Sequence, residues 1–164
     1  MLATIERLAR LGRRALVVGS PPPHDDLSRF VGLPVTFAGP LRRADIPAAL
    51  ASARFGLNDT PDVFPYNRQT SIKTLEYAAA GLGIIANRYA WVQDFAVKYE
   101  VPILWLDDVI KMGPGAAERL TRTWFDPAQL AQIEWGRLLD SIGFVGFLSG
   151  LTNGNGEEVS IVAS

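Results

Sequence analysis

Cysteine is absent from the 164-residue chain, and histidine occurs once, as His24. The first absence excludes disulfides and thiolate metal sites. The second excludes a His pair on a metal and leaves no Ser-His arrangement; His24 stands after three prolines as an exposed residue or a substrate contact. An excess of one charge is missing too. Lys and Arg number 16 against 17 Asp and Glu, a net charge of −1, which gives no reason to expect nucleic-acid binding. Long apolar runs are also lacking. The longest near the C-terminus, Ile142 to Leu151, is about half of what a membrane span needs, so no transmembrane segment is expected. The N-terminus is charged throughout and has no signal-peptide core. These absences together point to a cytoplasmic protein, membrane-peripheral only through a partner.

What is present is the material of a globular domain. Hydrophobic residues make up 48% of the chain, enough to bury a core at this length. Helix and strand signals alternate. Leu2 to Leu11 reads as an amphipathic helix ended by Gly12, and Ala15 to Val18 as a strand buried on both faces. Gly19 to Asp26 reads as a loop, Val35 to Ala38 as a strand, and Asp45 as the cap of a helix reaching Ala53. Phe55 to Leu57 is a strand that runs into a loop from Asn58 to Gln69. A helix from Ser71 and a strand from Gly83 to Ala86 follow, then a helix over Ala90 to Glu100 and a strand over Pro102 to Trp105. Further helices are expected over 115–122 and 126–139. The expected organisation is one domain over 1–141 and a loose tail over 142–164. Alternating short strands and helices mean an α/β layered fold with a mostly parallel sheet, in which ligands sit beyond the carboxyl ends of the strands.

The segment Ser71-Ile-Lys-Thr-Leu-Glu-Tyr-Ala-Ala-Ala-Gly-Leu-Gly-Ile-Ile-Ala-Asn87 carries the most specific chemistry. Lys73 and Glu76 stand three apart and share a helix face, while Ile72, Leu75 and Ala79 are expected to hold the helix to a core. Free N–H groups in the first turn suit phosphate oxygens, and a carboxylate just inside suits two ribose hydroxyls. The pattern points to a nucleotide-bearing ligand. Each residue also has a plainer role. Glu76 and Lys73 can form a surface pair, Thr70 and Ser71 can serve only as caps, and Gly81 is a helix stop. Arg68 is either a solvated loop residue or a phosphate contact. Asn58 and Asp59 sit at a strand end, in a functional position or in ordinary turn chemistry. Trp91 is the tryptophan placed to stack on a base. Asp107 and Asp108 follow a strand, as a metal-binding pair or as a turn.

Phe37-Ala-Gly-Pro, Ile46-Pro-Ala-Ala-Leu-Ala-Ser-Ala, Phe55-Gly-Leu and Lys73-x-x-Glu76-Tyr-Ala-Ala-Ala-Gly81-x-Gly-Ile-Ile-Ala together resemble the C-terminal half of GT-B glycosyltransferases, closest to family 4. The likeness covers roughly residues 13 to 110. It implies a Rossmann-like three-layer domain that binds a nucleoside diphosphate sugar, with the Glu76 position on the ribose and the adjoining helix start against the diphosphate. It implies no metal and no cofactor. Many members carry a Glu-x7-Glu pattern, and this chain has Arg68 at its first position. Members also begin this domain with a strand and a basic loop ahead of the first helix, and they have an acceptor domain. This chain begins at the helix, so the domain is expected to be incomplete at its N-terminus. The acceptor domain is expected either on another chain, with a homo-oligomer as a further partner, or in the rest of a longer gene product of which this chain is a truncated part. No general base is identifiable. Sugar transfer to a glycan or lipid-linked acceptor, a nucleotide-sugar-binding module without catalysis, and an interaction domain that keeps only the fold all remain open.

Overall fold

The computed structural model describes residues 1–113. The helices expected over 115–122 and 126–139, Trp124, Trp135 and the tail from 142 lie outside the described residues. By its internal contacts the chain divides into Met1–Asp126 and Pro127–Ser164, and everything below concerns the first unit.

The unit is α/β with parallel strands, as the alternating signals require. In order come α1 (Leu2–Arg10), β1 (Ala15–Val18), α2 (His24–Leu27), β2 (Val35–Gly39), α3 (Ile46–Ala51), β3 (Phe55–Asn58), α4 (Ile72–Ala79), β4 (Gly83–Ala86), α5 (Ala90–Lys98), β5 (Ile103–Trp105) and α6 (Leu106–Lys111). The described strands form two sheets. β1 pairs with β2, and β3, β4 and β5 pair in that order. Phe55 stands opposite Gly83, and Ile84 opposite Ile103.

β4 lies between β3 and β5, and all four of its residues are buried, as an unbroken apolar run in a covered parallel sheet should be. β1 departs from the expectation that it is buried on both faces. Its residues alternate between half-buried and exposed, with Leu16 at 43% and Val18 at 44% exposure. Its neighbour β2 shows the same alternation. The inner face of this pair is held by Phe37, whose ring meets that of Phe30 edge-on at 5.2 Å.

α1 anchors the other sheet. Leu8 packs in a core cluster with Ile85, Leu106 and Val109, against Phe55, Leu57 and Leu104. Gly12 ends this helix with φ +79°, a backbone region in which a side chain is strained. Two local expectations need correction. The Pro-rich loop ends earlier than expected, because α2 begins at His24 with Pro23 at its cap, where a missing N–H costs nothing. Asp45 does not cap α3 through its side chain, since Arg42 takes both carboxylate oxygens at 2.7 and 3.2 Å.

α4 also turns a different face inward than its apolar spacing suggested. Thr74 and Ala78 are buried, whereas Ile72 is 61% exposed and Ala79 is exposed. The cause lies in β3, which presents Gly56 and Asn58 to this helix. A strand of small and polar residues accepts Tyr77, Thr74 and Ala78 and leaves no room that calls for Ile72.

Candidate functional site

The carboxyl ends of β3, β4 and β5 are marked by Asn58, Asn87 and Leu106. Asn58 is 1% exposed and fully engaged. Its amide nitrogen lies 3.0 Å from Ser71 Oγ, 2.7 Å from Thr74 Oγ1 and 2.7 Å from the Tyr89 hydroxyl. Two N–H hydrogens serve these three oxygens. Its Oδ1 accepts from the Thr60 hydroxyl at 2.7 Å and the Thr60 N–H at 3.3 Å. One side chain therefore ties the end of β3 to the start of α4, to the residue that opens α5 and to the loop beyond. Asn87 closes the same edge. Its N–H donates to the Asn58 carbonyl at 3.2 Å, and its amide donates to Asp59 Oδ1 at 2.8 Å and the Thr60 carbonyl at 3.2 Å.

This network fixes the helix start that the sequence singled out. Ser71 is the cap of α4, and its Oγ accepts the Thr74 N–H at 3.3 Å. The N–H groups of Ile72 and Lys73, ahead of the first intrahelical bond, remain for an anion. Lys73 and Glu76 are both exposed. Neither side chain carries a hydrogen bond or an ion pair among the described residues, with the other or with any neighbour, so the surface pair that spacing allowed is not formed. Arg68 ends a 3-10 turn over Tyr66–Arg68, and Thr70 follows it; both are exposed.

Of the six residues singled out in the sequence, Asn58 and Ser71 are joined directly, Lys73 and Glu76 stand on α4 itself, and Arg68 and Thr70 precede it in the loop. Glu76 lines an open groove of about 390 Å³ between α3 and α4, with Arg43 and Pro47 at its rim, Ile46 and Leu50 along one wall and Ala79 and Ala80 along the other. A second hollow of about 510 Å³ opens over the strand ends, lined among others by Thr4, Arg7, Asp59, Asn87 and Lys111. None of the six lines it. The carboxyl-edge rule favours the hollow and the carboxylate favours the groove. We weigh the groove more, because it combines an uncommitted carboxylate with an apolar wall.

Burial pushes the Tyr77 phenol above its ordinary range, and the charge of Glu76 beside it adds to the effect. The hydroxyl stays protonated and donates to the Leu57 carbonyl at 3.3 Å. Asp107 and Asp108 lie in the first turn of α6. Arg88 reaches Asp107 at 3.5 Å and Asp108 at 2.7 Å, and Lys111 reaches Asp107 at 3.4 Å. Desolvation works against ionisation of Asp107. The hydrogen bond from Lys111 and the charges of Lys111 and Arg88 outweigh it and hold the carboxyl below its usual range. Among the described residues no group of three or more His, Asp or Glu is gathered as a metal site. Trp91 stacks on Phe95 at 5.1 Å, so its ring is engaged within its own helix.

Sequence reasoning missed Thr60, Thr74, Asn87 and Tyr89. The signal for one of them was present. Asn87, like Asn58, directly follows an apolar strand in the sequence, and a polar residue at that point of a βα turn can bond across the edge of the sheet.

The family model described as Glycosyl transferase-like matches residues 1–104. No curated protein matches the chain. No solved structure matches it either. Among the described residues no helix is long and apolar enough to cross a membrane.

Proposed function

Because the chain belongs to the glycosyl transferase-like family, we propose that it is the donor-binding part of such an enzyme, taking a nucleoside diphosphate sugar at α4. The likeness to the C-terminal half of GT-B enzymes of family 4 underlies this reading. The observation that carries it is the pair of uncommitted, exposed charges on α4, Lys73 and Glu76, on a helix whose start is pinned at the sheet edge by Asn58.

Glu76 accepts hydrogen bonds from the ribose hydroxyls, with the base lying along Ile46 and Leu50 in the groove. Lys73 and the N–H groups that follow Ser71 neutralise the diphosphate as it departs, the usual work of cations and helix starts at phosphoryl leaving groups. Arg68 and Thr70 stand on the loop leading to that helix start and complete the phosphate side. Asn58 acts through the others as a positioning residue. The acceptor, a glycan or a lipid-linked saccharide, is held by an acceptor domain, in the same protein or on another chain.

A second reading is a binding module without catalysis. It is favoured by Arg68 at the position where the family pattern has a glutamate toward the sugar, and by the lack of an identifiable general base.

Calorimetric titration with UDP, GDP and dTDP, on the chain and on Glu76→Ala, tests the proposal. Saturable binding of one nucleotide, lost in the variant while its melting curve is unchanged, supports donor binding. No binding of any of the three at millimolar concentration overturns it. Sugar turnover measured with the matching donor and an acceptor domain separates transfer from binding alone.

A further inference from the structure

The groove between α3 and α4 holds few polar side chains. Of those that line it, only Arg43 and Glu76 carry polar atoms, and the rest belong to Ile, Leu, Pro and Ala. Glu76 stands on α4. Arg43 stands on the α3 side, in the 3-10 turn Arg43–Asp45 that leads into that helix, directly ahead of Ile46 and Leu50.

Two consecutive arginines meet at this turn and differ in what they hold. Arg42 takes both carboxylate oxygens of Asp45, at 2.7 and 3.2 Å. Arg43 is exposed, and its guanidinium carries no hydrogen bond or ion pair among the described residues. Asp45, the acidic residue closest to it in the chain, is thus already engaged. Arg43 is left at the rim of the groove with its full set of donors.

Its position separates it from the phosphate side of the donor. Lys73 and the N–H groups that follow Ser71 belong to α4, as does the carboxylate for the ribose. Arg43 belongs to the other wall, where Ile46 and Leu50 lie along the base. Those apolar side chains offer area to any base and select none, so selection falls to the one cation beside them.

We propose that Arg43 reads the base and that the donor is a guanosine diphosphate sugar. This rests on the donor-binding reading above and adds the identity of the base to it. A guanidinium donates hydrogen bonds and cannot accept them. Its fork matches two neighbouring acceptors, which guanine presents as O6 and N7. Uracil and thymine present O4 alone on the corresponding edge. Adenine and cytosine present an amino donor there, which arginine cannot satisfy. Glu76 is the only side-chain acceptor lining the groove, and the ribose takes it, so no other lining side chain can receive that amino group.

The test is calorimetric titration of the intact chain with GDP, IDP, 7-deaza-GDP, UDP and ADP, repeated on Arg43→Lys and Arg43→Ala. GDP and IDP share O6 and N7 and should bind alike, roughly tenfold or more tighter than UDP and ADP, the scale of one bidentate contact to a base. 7-Deaza-GDP lacks N7 and should fall toward UDP. Arg43→Lys keeps the charge but loses the fork, so both variants should bring GDP down to UDP and bind GDP and 7-deaza-GDP equally. Tightest binding of UDP or ADP, equal binding of GDP and 7-deaza-GDP by the parent, or an equal loss for every nucleotide in Arg43→Ala would each overturn the proposal. The last would make Arg43 a phosphate contact or a stacking platform. Binding that depends on Glu76 but shows no preference among bases overturns this inference and leaves donor binding standing, whereas no binding of any nucleotide overturns both. The comparison of GDP with 7-deaza-GDP on the parent decides even if a variant does not fold.

Discussion

The ring of Tyr77 fills the space that a side chain on Gly56 would need. A Cβ built on Gly56 falls among the ring carbons of Tyr77, and the same tyrosine reaches on to the Leu57 carbonyl. The fit between α4 and β3 therefore depends on one missing methyl group. Gly56→Ala is expected to destabilise the unit by about 1–3 kcal/mol, the usual range for overpacking. Urea denaturation should show this loss in the parent and a much smaller one in a Tyr77→Ala background, where the ring no longer competes for the space. Equal losses in both backgrounds would locate the cost elsewhere.

Asn58 leads to a second expectation. Asn58→Ala leaves a buried Thr74 hydroxyl, the Tyr89 hydroxyl and the Thr60 N–H short of partners. A buried polar group left unmade costs about 1–3 kcal/mol, so the variant should lose at least that much in a urea midpoint measurement. Its nucleotide affinity should fall as well, because the start of α4 loses its anchor. Glu76→Ala should lower affinity with no change of midpoint, as an exposed substitution away from any contact usually does. The contrast between the two variants separates positioning from contact.

The sequence made the order of elements and the helix start legible, because glycine stops, apolar runs and an N-cap serine are local signals. Ser71 caps α4, and Gly81 ends it with φ +69°. The buried face of α4 was not legible. Its apolar spacing favoured Ile72, Leu75 and Ala79, and the choice was made instead by Gly56 and Asn58, which stand in β3, each 16 positions ahead of Ile72 and Thr74 respectively. The bonds of Asn58 to Thr74 and Tyr89 were hidden for the same reason: separations of 16 and 31 residues leave no mark in a local pattern. The half-open state of β1 was equally hidden, since Ala-Leu-Val-Val reads as a strand covered on both sides and the cover depends on a neighbour that no local pattern specifies.

Lys73 should distinguish diphosphate from nucleoside. Its ammonium is uncommitted and exposed, next to N–H groups that attract an anion. Lys73→Met should weaken binding of a nucleoside diphosphate by tenfold or so, about 1.4 kcal/mol, and leave binding of the nucleoside alone nearly unchanged. Raising the salt concentration should narrow the gap between parent and variant, because exposed charges are screened within about 10 Å at 0.1 M. Calorimetry with UDP and uridine at two ionic strengths is the measurement. Equal losses for both ligands would place Lys73 away from the phosphates.

Glu6 supplies the acid-side dependence. Hydrogen bonds from Arg10 and then from Arg29 hold its carboxyl below the ordinary 4.5, and desolvation offsets only part of this. A carboxylate whose folded value is depressed binds its proton less readily in the folded state than in the unfolded chain. Its contribution is complete above the unfolded value and is lost as the pH falls through the folded one. Glu6→Gln should therefore be less stable than the parent by a constant margin from about pH 5.5 upward. The margin should shrink steadily below pH 4.5 and close once the parent's Glu6 is protonated in both states. Urea midpoints taken from pH 3 to pH 7 would trace this. A margin that held unchanged down to pH 3 would mean that Glu6 contributes through packing of its methylenes beside α1, and not through the charge shared with Arg10 and Arg29.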